Sequence, residues 1–456
     1  MRRNGPAMVC TKRSQKVWIW VLRPLLFFVL SWGGSESGAT PLGYLAQPAV
    51  SSQVVTLTQS PMSTGNRMEL LVDGTQFYPV RQRMIERATR SIDLVTFLWC
   101  DDESGLRLAE LLAQKARQGV RVRIIIDLFN TKPHDRVYQI VRDAGIELLI
   151  YNPVYWGLRN IFEHSLHEKI MIVDGEEALL GSANLCDEYM IGGERSLWHD
   201  LEVQVRGPQV SQMQQHFDST WNWMARTDLQ SLIHNSRRLA DPALIPVVRP
   251  RFRVYREATR TNTQVAGEDA AWFLYQQNYR DQRQGINILS LHELLIDLAQ
   301  ERIQIMTPYL VPPAPFVRAL RRARERGVHV QIITNSPANN DVWLAQFAAI
   351  RKSRQLIASG VQIYEFQPRM IHAKAILIDG QMLSIGSHNF TNRSFTINGE
   401  ANLLTSSTGL IRQFSQVFEA DLGCSSSLND EILHRRVETA DQVAQALISD
   451  MLASEI

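Results

Sequence analysis

The strongest constraint on this chain is that it writes the same sentence twice. Residues 167–184 are HEKIMIVDGEEALLGSAN and residues 372–389 are HAKAILIDGQMLSIGSHN. Each spells His-x-Lys, four residues, Asp-Gly, five residues, Gly-Ser-x-Asn, with no slip in spacing. One copy would be compatible with a structural histidine beside an apolar strand and an ordinary Asp-Gly turn. Two copies in one register argue for a composite site assembled from both halves.

The spacing has a local structural meaning. The apolar, partly β-branched runs 169–174 and 374–379 predict strands closed by Asp-Gly turns. Alternate side chains of a strand share a face, so His167 and Lys169 point one way, as do His372 and Lys374. A second short apolar strand then ends in Gly-Ser-x-Asn, which returns Ser182 and Asn184, or Ser387 and Asn389, beside the His-Lys pair. A titratable imidazole, a fixed cation and neutral donors together suit a phosphodiester. The donors bear anionic oxygens, and imidazole attacks phosphorus or donates a proton. Asp174 and Asp379 stand with the candidate catalytic residues, although each closes a strand and bracing the loop is the competing role.

A nucleophilic histidine needs its other ring nitrogen held by an acceptor. Each copy offers one downstream, Asp200 in the first and Glu400 in the second, with Glu202 a weaker candidate. Asp200 lies farther from its histidine than Glu400 does, so a loop is inserted over 186–197.

With these residues in view, the sequence resembles the phospholipase D superfamily, whose signature is this doubled pattern. The second half is similar to bacterial cardiolipin synthases lacking paired membrane helices, through segments 307–312, 326–330, 334–341 and 389–400. The likeness spans roughly residues 66–422. It implies two similar α/β/α sandwich domains related by a pseudo-two-fold axis, with the site at their interface. It further implies a phosphohistidine on one histidine and acid–base work by the other, with His167 the nucleophile by analogy. Lys169, Lys374, Asn184 and Asn389 would hold the non-bridging oxygens, while Ser182 and Ser387 shape the turns and donate. No cofactor and no metal are implied. The expected activity is phosphatidyl transfer forming cardiolipin, with hydrolysis to phosphatidic acid and an endonuclease as alternatives.

Periodicity supports the duplication. Helix-glycine-strand units end at Gly119 and Gly145 in the first half and at Gly327 and Gly360 in the second. The first half is expected to supply helices over 80–88, 106–118 and 137–144 and strands near 91–98, 120–127 and 146–151; the second repeats the order over 291–366. This alternation predicts α/β layers on a mostly parallel or mixed sheet. The expected divisions are a leader at 1–39, a tether at 40–65, domains at 66–225 and 265–424, a linker at 226–264 and a C-terminal helix at 425–456. The motif regions are 162–188 and 367–393.

The leader carries Arg2, Arg3, Lys12, Arg13 and Lys16 before an apolar run at 17–32 and small residues to Ala39. This pattern predicts an exported, periplasmic or membrane-associated protein, by a secretory signal or an uncleaved anchor. Arg23 and Pro24 interrupt the run, which favours the signal. A balance of 48 Lys and Arg against 46 Asp and Glu gives no basic field that argues for nucleic acid; phospholipid and a membrane surface are the expected partners. Cys10, Cys100, Cys186 and Cys424 show no metal-ligand spacing. One bridge is compatible with them, but their spacing chooses none and no disulfide framework is expected. The aromatic stretch 152–162 is placed at the site entrance, either packed or meeting acyl chains, and Trp221 and Trp223 are assigned to core packing.

Overall fold

The computed structural model describes residues 48–127, 135–151, 164–192, 197–235, 269–279, 282–285, 287–341, 343–429 and 431–436. The leader 1–39, the residues from there to 47, the aromatic stretch 152–162, most of the linker and the tail beyond 436 lie outside them.

The first half contributes β1 (Ser63–Val72), β2 (Ser91–Thr96), β3 (Arg121–Asp127), β4 (Glu147–Tyr151), β5 (Ile170–Val173), β6 (Glu177–Gly181) and β7 (Leu201–Arg206). The second contributes β8 (Asp269–Tyr279), β9 (Gln282–Gly285), β10 (Arg302–Met306), β11 (His329–Asn335), β12 (Gln362–Phe366), β13 (Ala375–Ile378), β14 (Met382–Gly386), β15 (Glu400–Thr405) and β16 (Ser425–Leu428). They form one sheet in the order β16-β12-β11-β10-β13-β14-β15-β8-β1-β7-β6-β5-β2-β3-β4, with β9 paired to β8. Outward from the β8–β1 seam, each half runs through equivalent strands. β1 and β8 are antiparallel, as required of strands exchanged by a two-fold axis normal to the sheet. The motif hairpins share one register, Ile170 opposite Leu180 and Ala375 opposite Ile385.

Helices cover both faces. Helices α2 (Asp73–Arg87), α3 (Glu103–Arg117) and α4 (Arg136–Asp143) pack on the first half, and α5 (Asp187–Met190) follows its motif. Helix α6 (Pro208–Asn235) leads toward the second half, where α7 (Ile288–Leu298), α8 (Ala314–Glu325), α9 (Trp343–Ile357), α10 (Asn392–Thr396) and α11 (Thr408–Gly423) lie. One core is shared across the seam: Val203, Val205, Leu383 and Leu403 from the sheet meet Phe217 and Trp221 of α6 and Phe414 and Phe418 of α11. Separate cores fill the opposite face of each half. Trp221 is buried in the shared core and Trp223 packs on its edge.

Four boundaries differ from the sequence expectation, the first being that the expected C-terminal helix 425–456 begins instead as strand β16, Ser425–Leu428, paired with β12. Residues 48–58 are not a tether but helix α1 (Pro48–Thr58), whose Val50 and Val54 enter the second-half core, and β1 begins at Ser63. Apolar burial outweighed a Ser/Thr/Gln composition that reads as linker. Helix α2 begins before Pro79 because Phe77 is buried in the first-half core, so tertiary packing overrides the breaker. Helix α6 continues into the expected linker, as far as Asn235. Among the described residues no helix is long and apolar enough to cross a membrane.

Candidate active site

The two motifs meet at the seam through backbone bridges. The amide of His167 donates to Gly399 O at 2.8 Å and that of Gly399 to Ser165 O at 2.7 Å. In the symmetric place, His372 N donates to His199 O and His199 N to Met370 O, each at 2.7 Å. Each bridge sets the histidine of one half beside the carboxylate of the other. His167 Nδ1 lies 3.0 Å from Glu400 Oε2, and His372 Nδ1 lies 2.8 Å from Asp200 Oδ2. The acceptors foreseen within each copy are therefore exchanged between copies.

Each carboxylate is gripped by the motif serine of its own half. Ser387 Oγ donates to Glu400 Oε2 at 2.6 Å, and Ser182 Oγ donates to Asp200 Oδ1. The hydroxyls assigned from the sequence to phosphate here hold the carboxylates that face the histidines. The preceding glycines allow this. A Cβ on Gly181 would stand 2.5 Å from Leu201 O, and one on Gly386 2.3 Å from Ala401 O, so no side chain fits where β6 and β14 carry their serines against β7 and β15.

Lys169 Nζ donates to His167 O at 2.6 Å and Lys374 Nζ to His372 O at 2.7 Å. Lys374 Nζ also stands 2.8 Å from His372 Nε2. Asn184 Nδ2 reaches Tyr189 Oη at 2.9 Å. The buried Asn184 and Asn389 Oδ1 atoms have no partner among the described residues. These lysines, asparagines and histidines are all at least nine-tenths buried.

Burial governs the charges. It presses His167 down to about 4 and His372 to about 3, against the pull of Glu400 and Asp200. Glu400 itself is held down at about 2: burial opposes its ionisation, but the facing His167 and nearby His388 and Lys169 prevail. An ionised carboxylate only accepts, so each Nδ1 carries the proton and each Nε2 keeps its lone pair. Burial also lowers Lys374 to about 7 and Lys169 well below the usual lysine range, the latter helped by repulsion from Lys374. The cluster is poised to take on positive charge when an anion arrives.

Asp174 and Asp379 do not join this cluster. Asp174 accepts the amides of Thr89, Arg90 and Ser91, and Asp379 those of Gln300, Glu301 and Arg302. Both have left-handed backbones, φ 54° and 51°, at the far end of the strand from the histidine. They lock the motif hairpin to the turn before β2 or β10, which is the bracing role weighed for them from the sequence. Glu202 pairs with Arg81 rather than a histidine.

Other positioning groups carried no motif. Asp127 Oδ2 accepts Leu166 N and Asn335 Oδ1 accepts Ile371 N, each at 2.7 Å; they close the equivalent strands β3 and β11. His199 bridges Asp73 and Asp421 at 2.8 Å each, and Arg369 also pairs with Asp73. Burial opposes its charge, but the two carboxylates raise His199 to about 10. A Cys100–Cys186 disulfide spans 86 residues and fixes the loop leaving Asn184. The equivalence of the strand termini in two repeats was the only available signal for Asp127 and Asn335.

Two imidazoles with crossed carboxylates and flanking lysines, on a duplicated α/β sheet, define a phospholipase D-type phosphoryl-transfer centre. The family model described as "Cardiolipin synthase, PLD-like domain" matches residues 82–221 and 294–422, and this chain belongs to that family. It is 30% identical over 404 residues to cardiolipin synthase A of Pseudomonas fluorescens, covering 87% of this chain and 77% of that protein. It is 28% identical over 382 residues to a cardiolipin synthase of a Geobacillus strain, covering 83% and 70%. The crystal structure of phosphatidylserine synthase from Haemophilus influenzae superposes with TM-score 0.64 at 12% identity, covering 89% of this chain and 99% of that one, a likeness of fold.

Proposed function

We propose that this enzyme transfers a phosphatidyl group between phospholipids and forms cardiolipin, through a phosphohistidine on His167. The crossed His167–Glu400 and His372–Asp200 pairs carry the reading. With Nδ1–H donated to Glu400, His167 Nε2 attacks phosphorus, and the growing imidazolium charge falls on a carboxylate already in place. Lys374 Nζ, 2.8 Å from His372 Nε2, passes a proton to that nitrogen, and His372 supplies it to the departing alcohol. In the second step an acceptor hydroxyl oxygen attacks phosphorus, His372 Nε2 takes its proton, and the P–N bond breaks with its electron pair returning to His167. Lys169, Lys374 and the motif asparagines Asn184 and Asn389 bear the non-bridging oxygens.

The oxidised Cys100–Cys186 pair and the basic-apolar leader support an exported enzyme working at a membrane surface. Purified protein is given phosphatidylglycerol vesicles with and without phosphatidylethanolamine. Cardiolipin as product is expected. Phosphatidic acid alone would make the enzyme a hydrolase, and cutting of plasmid DNA in EDTA with no lipid product would make it a nuclease.

A further inference from the structure

The pseudo-two-fold axis relates the two histidines but not their walls. His167 has the edge of Phe97 against it, ring centres 4.9 Å apart. His372 instead faces Tyr189 at 5.0 Å and Trp198 at 5.6 Å, and these two rings pack at 4.6 Å. Both belong to the stretch between Asn184 and Asp200, where the first repeat is longer than the second. Tyr189 stands at the place of Ser394 and Trp198 at that of Asn398, so aromatic residues of one half build the wall of the other half's imidazole.

A second difference follows β2 and β10. Thr96 Oγ1 donates to Leu98 O at 3.2 Å and Thr307 Oγ1 to Tyr309 O at 3.1 Å, so Leu98 and Tyr309 occupy equivalent places in the two repeats. The side chain there is apolar in the first half and a phenol in the second. Asn335 ties the second-half segment to the motif, since its Nδ2 donates to Pro308 O at 3.1 Å and to Ile371 O at 2.9 Å. Tyr309 packs on the cluster that holds Tyr189, Trp198 and Met370. Its hydroxyl donates to Asp341 Oδ1 at 2.7 Å, and Asp341 is exposed.

We propose that Tyr189, Trp198, Tyr309 and Asp341 form the headgroup subsite beside His372 and select an acceptor alcohol with more than one hydroxyl. This rests on the transfer reading above. A polyol presents one hydroxyl to His372 Nε2 and further donors to the Asp341 carboxylate and the phenol oxygens, while its carbon face lies on Trp198. Burial keeps both phenols protonated, so they donate as well as accept. Asp341 also acts on Lys374 through space, which places its charge within reach of the reacting cluster. A monohydroxy alcohol or water uses none of the outer contacts. The chemistry is the second displacement already balanced; the subsite decides which oxygen performs it.

The test is a competition within one tube. Vesicles carrying phosphatidyl-p-nitrophenol, whose leaving group needs no polyol contact, are incubated with equal concentrations of glycerol and 1-propanol. Phosphatidylglycerol and phosphatidylpropanol are then counted by mass spectrometry. The wild-type enzyme is expected to favour glycerol. Tyr309→Phe and Asp341→Asn are each expected to lower the glycerol-to-propanol ratio about tenfold, the size of one charge-assisted hydrogen bond. A product ratio does not depend on how much enzyme is folded. A ratio unchanged in either variant overturns the subsite. Failure of the wild-type enzyme to make any phosphatidyl product overturns the transfer reading and the subsite with it.

Discussion

His167 Nδ1 and Glu400 Oε2 stand 3.0 Å apart although they belong to different repeats. The backbone bridge between the residues before them, Leu166 and Gly399, makes the contact a consequence of strand pairing rather than of side-chain reach. The His199–Ile371 bridge does the same for Asp200 and His372. Each half therefore carries the histidine of one histidine–carboxylate pair and the carboxylate of the other. Neither half holds a complete pair.

Glu400→Gln should lower kcat by about 10⁴-fold, because an amide does not balance the growing charge on the ring or hold its tautomer. Asp200→Asn should act similarly through His372. Stability measured by urea denaturation checks that the loss is chemical: each carboxylate also accepts a serine hydroxyl, so each variant must retain the fold for the kinetic result to count. A kcat within threefold of wild type in either variant would remove the orienting role.

The pH profile should be limited on its alkaline side by a lysine. The free-enzyme imidazoles are neutral above about 4, so they do not set that limb. Lys374 is lowered to about 7, mainly by burial, and its ammonium is lost as pH rises through that value. The dependence of kcat/KM, which reports free-enzyme ionisations, should fall above pH about 7. Lys374→Arg keeps its charge throughout and should remove this limb, whatever its effect on the maximum rate. An unchanged limb in that variant would assign it to another group.

The duplication and the α/β alternation were legible because repeated spacing and strand periodicity are local signals. So were His167, His372, the two lysines and both carboxylates. The exchange of Asp200 and Glu400 was not, because it depends on which strand termini meet at the seam, a relation between segments far apart in the chain. Asp174 looked catalytic through its place in the motif; its three backbone partners at residues 89–91 come from another turn. The Cys100–Cys186 bridge was equally hidden, since spacing alone cannot choose among scattered cysteines.

Asp174→Asn should therefore damage folding more than chemistry. The carboxylate accepts three amides from the turn before β2, and an amide side chain can satisfy fewer of them. A loss of about 1–3 kcal/mol is expected in urea denaturation, with kcat per folded molecule changed less than fivefold. A hundredfold fall in kcat at unchanged stability would return this residue to the catalytic set.

Reduction of the Cys100–Cys186 bridge should cost about 2–4 kcal/mol of stability, from the freedom regained by the loop it closes. Activity should fall with it. Cys186 caps helix α5, whose Tyr189 touches both Asn184 and His372. Cys100→Ser/Cys186→Ser should match the reduced enzyme in both measurements and become insensitive to dithiothreitol. Full activity in the double variant would show that backbone bonds alone hold this loop.

His199 gives stability a pH dependence of defined sign. Its ordinary value is 6.5, and the two flanking carboxylates raise it to about 10 in the folded protein, against the opposing effect of burial. A group raised on folding contributes fully below its unfolded value, and the contribution is lost as pH rises through the folded one. The contribution from His199 should thus be complete below about 6.5 and disappear as pH climbs toward 10. Denaturation midpoints measured across that window should decline in the wild type. His199→Gln, uncharged at every pH, should start lower and show a shallower decline. Parallel curves for the two proteins would mean that His199 does not carry its charge between Asp73 and Asp421.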